Sequence, residues 1–431
     1  MKANPEWRVY ILGAALCATL AMCSRHFGDR GGPSFMAWLT LACIAYLAAM
    51  WQLLSTPEFP RRVVVIGLVL AAVSQLAFLR LPPGLNDDIH RYVWDGRLQR
   101  LGLNPYIVIP SDPAVTSLHT ADTRNLNNPD LPSPYPPGAQ LFFRGVTSVH
   151  ESVFALKLAF VICDFGIAIV VLDLLRTSGR GAHLGLVYAW NPLLAIEVAG
   201  SGHIDILGAL LLTISVAALA RRWRALAALT FGLAVAVKFL PIVLLPLCWK
   251  RIRLRDAVLA AIVVPLLYMP FLDHGRIPVG SLAAYVQNFR FNGPVFAALD
   301  RVASPQLLAG LAVLVGFATS IWLRRRMDQW SPDVFAWPMA ASLLFAPVVF
   351  PWYLLWLMPF LMSPSTLLMI LWTVTIIPTY TMWHLSSVRG AWGSLPGWTM
   401  EVEYGGVALV AAVVVLRRIA RVVAPQSSSY R

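Results

Sequence analysis

Residues 62–80 read RVVVIGLVLAAVSQLAFLR, and a few positions later residues 86–96 read NDDIHRYVWDG. The first stretch is long and apolar enough to cross a hydrocarbon core roughly 30 Å thick as a helix. The second gathers Asp87, Asp88, His90, Arg91 and Asp95 just outside it. Carboxylates at the end of a membrane helix sit where a lipid-linked substrate presents its polar head. This juxtaposition points to an enzyme embedded in a membrane.

The rest of the chain has the same character. Of its 431 residues, 58% are hydrophobic and only 13% charged, which excludes an ordinary soluble protein. Apolar stretches recur at 9–24, 35–54, 62–80, 153–175, 183–199, 204–220, 225–248, 256–272, 305–323, 333–350, 352–362, 365–383 and 403–420. Some are short or interrupted by proline, and together they predict about 12 to 14 crossings. Lipid offers the backbone no hydrogen-bond partner, so the crossings must be helical; the alternation of a β-barrel is absent. The predicted fold class is an all-α polytopic membrane protein, one domain over 1–431.

The net charge of +13 suggests nucleic acid at first sight. The basic residues instead cluster at alternate span ends: Arg61 and Arg62; Arg176 and Arg180; Arg221, Arg222 and Arg224; Lys250, Arg251, Arg253 and Arg255; Arg324, Arg325 and Arg326; Arg417, Arg418 and Arg421. This positive-inside pattern fixes orientation and predicts no nucleic-acid partner. With Lys2 and Arg8 also inside, both termini are cytoplasmic, and the loops 82–150 and 273–303 face outward. The Ser-rich end, 424–431, predicts a disordered tail.

One segment, 225–248, carries basic clusters at both ends, which a single crossing would place on opposite sides. Two short half-helices turning near Lys238 and Pro241 resolve this and leave Lys238 near membrane depth. The cysteines (Cys17, Cys23, Cys43, Cys163, Cys248) fall within or at the ends of apolar spans, so no disulfide framework is expected. The first span reads as an uncleaved signal anchor.

Loops as long as 82–150 on a rigid scaffold usually carry function. Asn86 predicts an N-cap, with Asp87 and Asp88 in the first turn of a helix that runs to about Leu101 and ends at Gly102. Tyr92, Trp94 and Leu98 are expected in the membrane interface, with the charged side chains toward a pocket. A polar stretch, 110–134, follows. Tyr135-Pro136-Pro137-Gly138 then opens a second amphipathic run, so the loop predicts a lid of flat-lying helices.

Asp87 and Asp88 are the candidate catalytic residues, one of them a general base for an attacking hydroxyl. The competing reading is helix-dipole stabilisation and pairing with Arg91. Spacing at i, i+4 and i+8 places Arg91 and Asp95 on the same face, to orient the base, bind a sugar, or form an ion-pair ladder. Arg97 meets phosphate or merely headgroups. His203 and Asp205 open a membrane helix, where ionisable groups must be paired or functional; they line a polar cavity. No partner set accompanies them, so no metal is expected, and no cofactor. Lys238, between apolar runs, suits a lipid phosphate; the competing reading is snorkelling to an interface. Arg290 in the second outward loop is a further phosphate candidate. Trp352 and Tyr353 read as aromatic-belt anchors or as a platform for a sugar.

Together these residues resemble the GT-C superfamily of polytopic glycosyltransferases, and above all bacterial α-mannosyltransferases that use polyprenol-phosphomannose. The carrying motifs are Asp87-Asp88-Ile-His-Arg-Tyr-Val-Trp-Asp-Gly-Arg, Gly102-Leu-Asn-Pro-Tyr106, Tyr135-Pro-Pro-Gly, Gly202-His-Ile-Asp205, Lys238-Phe-Leu-Pro241 and Pro351-Trp-Tyr353. Ile204 and Phe350 depart from the pattern, which has Asn and His there. The resemblance implies an outward-facing site on a bacterial cytoplasmic membrane. It also implies inverting transfer of a hexose, mannose above all, from a polyprenyl-phosphate donor to a glycan or lipid acceptor. Asp87 or Asp88 would be the base, Lys238 a donor-phosphate contact, and Tyr135 part of the substrate wall. The alternative class is a transporter or flippase for a lipid-linked sugar, since broken helices and intramembrane charges suit it too.

Overall fold

The computed structural model describes residues 6–84, 87–326 and 331–423, with side chains to residue 416. The described residues are helical, with a few isolated β-bridges and no strand. In chain order the helices are α1 Glu6–Ser24, α2 Pro33–Ser55, α3 Arg61–Leu79, α4 Ile89–Arg100, α5 Pro137–Val149, α6 Val153–Thr177, α7 Gly185–Ala189, α8 Asp205–Ala220 and α9 Arg224–Val237. The series continues with α10 Leu245–Cys248, α11 Leu254–Tyr268, α12 Leu282–Asn288, α13 Pro294–Leu299, α14 Pro305–Arg326, α15 Ala336–Leu344, α16 Leu367–Thr375, α17 Thr381–Arg389 and α18 Gly397–Val423. Asn86 and the tail 424–431 lie outside the described residues, as do their predicted N-cap and disorder.

Among the described residues, eight helical segments are long and apolar enough to cross a membrane: α1, α2, α3, α6, Leu254–Phe271, α14, Pro364–Arg389 and α18. The protein is a multi-pass membrane protein. Other apolar stretches of the sequence form shorter or broken helices. The stretch 183–199 divides into α7 and a π-helical turn, Leu194–Ser201, with Pro192 between them. The stretch 333–362 divides into α15 and 3₁₀ turns that begin at Pro351 and Met358-Pro359. Proline removes a backbone donor and clashes with the preceding turn, so helices end there.

Small residues let the helices approach closely. A methyl on Gly67 would meet Leu186, and one on Gly208 would overlap the ring of Trp356. Several buried polar groups inside the bundle are paired with one another, since hydrocarbon offers no substitute for water. Trp190 Nε1 donates to Gly67 O at 2.7 Å, Asn191 Nδ2 to Thr373 Oγ1 at 2.8 Å, and Gln75 Nε2 to Asp164 Oδ2 at 2.5 Å.

Helices α8 and α9 form an antiparallel pair whose far ends meet again. Lys238, the residue after α9, reaches the first residue of α8 through Lys238 Nζ–Asp205 Oδ1 at 2.7 Å. The chain breaks there into the 3₁₀ turn Leu240–Leu244 and α10. Arg224 before and Arg253 after this excursion line one cleft, so both basic clusters sit at the same end of the bundle, as two half-segments turning at Lys238 require.

Helix α4 forms where expected, but it does not lie in a lipid interface. Ile89, Arg91, Tyr92, Val93, Trp94, Asp95, Leu98 and Gln99 are all buried. The segment 103–135 wraps it: Trp94 stacks on His119 at 4.1 Å, while Tyr92 stacks on Phe143 of α5 at 4.4 Å. Apolar and charged faces are both covered, so the amphipathic pattern here marks a core helix.

Gly31 adopts φ +88°, and a methyl there would overlap the Tyr380 carbonyl; around Gly28, three residues earlier, the space is open. Gly31→Ala is expected to lower stability by about 1–3 kcal/mol, and Gly28→Ala to leave it nearly unchanged. Thermal unfolding of the two variants in detergent measures the difference.

Candidate active site

The two aspartates of the acidic run occupy different environments. Asp87 is buried and clamped: Arg30 Nη2 lies 2.6 Å from Oδ1, and the Gly84 N–H donates to Oδ2 at 2.7 Å. Arg30 also donates to Ser201 Oγ, and its guanidinium sits between the rings of Phe27 (5.1 Å) and Trp383 (5.2 Å). With both oxygens of Asp87 engaged and almost no exposure, this carboxylate ties the α1–α2 turn to the start of α4. Asp88 is partly open, with 21% of its side chain exposed. Its Oδ1 accepts from Asn127 Nδ2 at 2.5 Å, while Oδ2 is 3.9 Å from His203 Nδ1, beyond hydrogen-bond reach.

His203 sits where the chain leaves the π-helical turn. Gly202 takes φ +77°, and a methyl there would overlap Ile89 of α4, so glycine is required at this crossing. The imidazole is buried, with Nε2 3.1 Å from Glu197 Oε2, and Tyr380 donates its hydroxyl to Glu197 Oε1. Trp352 is stacked on His203 at 3.9 Å and 9°, and Phe350 on Trp352 at 4.3 Å and 8°. Two rings parallel to it leave the Trp352 face without room for a sugar, and at 7% exposure it is no lipid-facing anchor.

Asp205 is buried at the first residue of α8, and its Oδ1 accepts from both Lys238 Nζ and Trp356 Nε1 at 2.7 Å. Lys238 does not snorkel to an interface. Its ammonium lies 3.7 Å over the Tyr353 ring, with 28% of the side chain exposed. The hydroxyls of Tyr353 and Tyr285 are 2.8 Å apart, which brings the second long loop to the same place. Burial holds the Tyr285 phenol above its ordinary range, against the Tyr353 hydrogen bond, with Asp88 and Asp205 adding to the rise. The structure thus brings Asp88, His203, Asp205, Lys238 and Tyr353 together. Among the described residues no group of three His, Cys, Asp or Glu side chains is placed to hold a metal.

The other candidates are placed differently. Arg91 forms no ion-pair ladder with Asp87 and Asp95; its Nη2 donates to the carbonyls of Asn127, Asn128 and Leu131 at 3.1, 2.7 and 3.0 Å and so fixes the loop over α4. Three backbone acceptors in a buried pocket outcompete helix-surface neighbours that face elsewhere. Asp95 is fully buried and accepts from Ser133 Oγ at 2.5 Å and Gln140 Nε2 at 2.8 Å, so it does not face a pocket. Arg97 pairs with Glu151 at 2.7 Å, an acceptor that Arg100 shares. Tyr135 is half-buried, packed edge-on against Tyr92 at 5.0 Å; burial, and next Asp88, raise its phenol well above the ordinary range. Arg290 is exposed and folds back on the carbonyls of Val286, Gln287 and Phe289.

Four residues that complete the cluster, Arg30, Asn127, Glu197 and Ser201, escaped the sequence reading. Arg30 carried a signal: an arginine in the Gly-rich 28–33 turn, on the side that the positive-inside rule leaves poor in charge. Glu197 is a carboxylate within an apolar stretch, itself the mark of an intramembrane function. The π-helical turn that presents it is common at functional sites.

Residues 14–252 match the MptA_B family, described as Alpha-(1->6)-mannopyranosyltransferase, N-terminal domain. The chain belongs to this family. The matched stretch contains Arg30, Asp87, Asp88, Glu197, His203, Asp205 and Lys238; Tyr285, Trp352, Tyr353 and Trp356 lie beyond it. The chain is also similar to Alpha-(1->6)-mannopyranosyltransferase A of Mycobacterium tuberculosis (strain ATCC 25618 / H37Rv), 26% identical over 320 residues, or 64% of this chain and 60% of that protein. It therefore matches less than two thirds of that relative's length. A crystal structure of ArnT from Cupriavidus metallidurans bound to undecaprenyl phosphate aligns over 84% of this chain and 73% of its own, with 17% identity and a TM-score of 0.46.

Burial pushes the Asp95 carboxyl up to about 6, partly offset by Arg91, Ser133 and Gln140. A carboxyl raised in the folded state opposes folding once ionised. The opposing contribution is absent below the ordinary carboxyl range, grows as pH rises, and is complete above about pH 6, where it amounts to roughly 3 kcal/mol. Asp95→Asn is expected to narrow the stability difference between pH 4 and pH 7 by up to that amount. Chemical unfolding at the two pH values checks it.

Proposed function

We propose that this chain is a membrane-embedded mannosyltransferase. It transfers a hexose, most simply mannose, from a polyprenyl-phosphate donor to a hydroxyl of a glycan or lipid acceptor. The observation that carries this reading, beside family membership, is Asp88: the one carboxylate of the acidic run that is partly open, facing His203 just before the Asp205 that holds Lys238. The whole chain acts as one catalytic domain, with the site facing outward from a bacterial cytoplasmic membrane. The clustering of arginines at the opposite end of the α8–α9 pair supports that orientation.

In this mechanism Asp88 Oδ2 takes the proton of the acceptor hydroxyl as its oxygen attacks the anomeric carbon. The bond from that carbon to the phosphate oxygen breaks, and the configuration inverts. The leaving polyprenyl phosphate gathers negative charge and needs a nearby cation. Lys238 supplies it, held in place by Asp205 and the Tyr353 ring. Asp87 is already neutralised by Arg30 and acts by positioning α4. His203 and Glu197 form the wall behind Asp88, and Asn127 orients its carboxylate. Holding both substrates on one scaffold supplies the proximity contribution.

The test is transfer from radiolabelled polyprenyl-phosphate mannose by purified protein in detergent. Asp88→Asn is expected to lose about 10²–10⁴-fold in rate with an unchanged melting temperature, whereas Asp87→Asn loses thermal stability because Arg30 is left buried without its counter-charge. Full activity in Asp88→Asn would remove it as the base. No transfer by the wild type, with sugar-lipid translocation in sealed vesicles, would replace the enzyme reading by the transporter.

A further inference from the structure

The ends of α8 and α9 remote from the Asp205–Lys238 pair enclose a second feature. A cleft of about 350 Å³ is lined by Arg222, Arg224, Ala225, Arg253, Arg255 and Asp256. That volume falls in the roughly 300–1,000 Å³ range of small-molecule sites. We propose that this cleft binds the phosphate headgroup of an anionic phospholipid in the leaflet at the basic end of the bundle.

Positive-inside charge alone needs arginines somewhere near span ends, not arginines from two separate turns facing one cavity. Here Arg222 and Arg224 come from the α8–α9 turn, and Arg253 and Arg255 from the start of α11. The neighbouring Arg221 is already neutralised by Asp173. Among the described residues Arg222, Arg224 and Arg253 form no ion pair, and the single carboxylate in the cleft, Asp256, is buried beside Arg255 at 3.5 Å. Four guanidinium groups against one carboxylate leave a strongly positive concavity whose counter-charge the protein does not provide. Arg222 is held at φ +61°, a backbone region that favours glycine, so a long cationic side chain is retained there against local preference.

The surroundings select a lipid over a soluble anion. Trp223 is 58% exposed and Leu254 81% exposed, and each is the chain neighbour of cleft arginines. Exposed Trp and Leu at a span end face the acyl–headgroup boundary, where a tryptophan ring is at home. A diacyl lipid can place its phosphate among the arginines and its chains beside these side chains. Cationic pockets at this level are suited to anionic headgroups.

The proposal stands apart from the transfer reaction and is tested by binding. Purified full-length protein is titrated with phosphatidylglycerol in detergent, followed by thermal shift and by native mass spectrometry of retained lipid, with phosphatidylcholine and inorganic phosphate as parallel probes. Phosphatidylglycerol is expected to stabilise the wild type and be retained, and the double variant Arg222→Gln/Arg253→Gln to bind it roughly 10- to 30-fold more weakly. Arg325→Gln/Arg326→Gln removes the same charge from the end of α14, outside the cleft, and is expected to bind as the wild type does. Equal loss in both double variants would reduce the effect to diffuse surface charge and overturn the site. Protection by inorganic phosphate equal to that by the lipid would overturn the lipid as occupant. If the cleft variant fails to fold, Arg253→Lys serves instead: it keeps the charge, loses the planar fork, and is expected to reduce retention several-fold.

Discussion

The buried ion pair between Arg30 and Asp87 is the constraint on which the candidate site depends. Two charges withdrawn from water persist only when their remaining hydrogen-bonding capacity is also met. Here Ser201, the Gly84 amide and two aromatic rings meet most of it, with the Arg30 Nε–H left over. The pair joins three parts of the chain: the turn after α1, the start of α4, and the π-helical turn that carries Glu197. The neighbouring Asp88 is then left between Asn127 and His203, partly open. A structural charge thus stands beside the one to which the proposed mechanism gives the chemistry.

From that anchor the site builds in two layers. One is aromatic: His203, Trp352 and Phe350 stack in parallel, and Phe291 continues the series on Phe350 at 4.3 Å. The other is polar: Asp205 draws together Lys238 and Trp356, and Lys238 in turn lies on Tyr353. The stack ties the second long loop to the π-helical turn, and the polar layer closes the α8–α9 pair. Phe350 stands where the related pattern has histidine, and its place in the stack gives it a packing role that an apolar ring fills well.

The parts legible in the sequence are those that local rules govern. Span length and charge asymmetry revealed the membrane class; the awkward charge pattern around 225–248 revealed the break at Lys238. Intramembrane cost singled out His203, Asp205 and Lys238, and all three lie in the cluster. What stayed hidden depends on partners distant in the chain. Asp87 and Asp88 are identical neighbours in sequence, and only Arg30, 57 positions away, separates their environments. Arg91 and Asp95 keep ladder spacing, yet a loop some 40 residues on captures Arg91. Trp352 has the composition of an interface anchor, and one of the rings stacked on it, His203, comes from a distant segment. The helical period predicted α4 correctly but could not reveal that a loop covers its second face.

The lengths of α8 and α9 have a further meaning. With 16 and 14 residues they extend about 24 and 21 Å, short of the roughly 30 Å hydrocarbon thickness. In the proposed orientation, helices with arginines at one membrane surface stop below the other, which would put Asp205 and Lys238 at the floor of a recess. The polyprenyl-phosphate donor of the proposed reaction would bring its phosphate to that floor while its tail stays among the helices, so that the reacting bond is reached by sideways movement within the bilayer. The depth of the recess is set by residue count, and a thicker bilayer would bury its floor further from the water that the acceptor must come from.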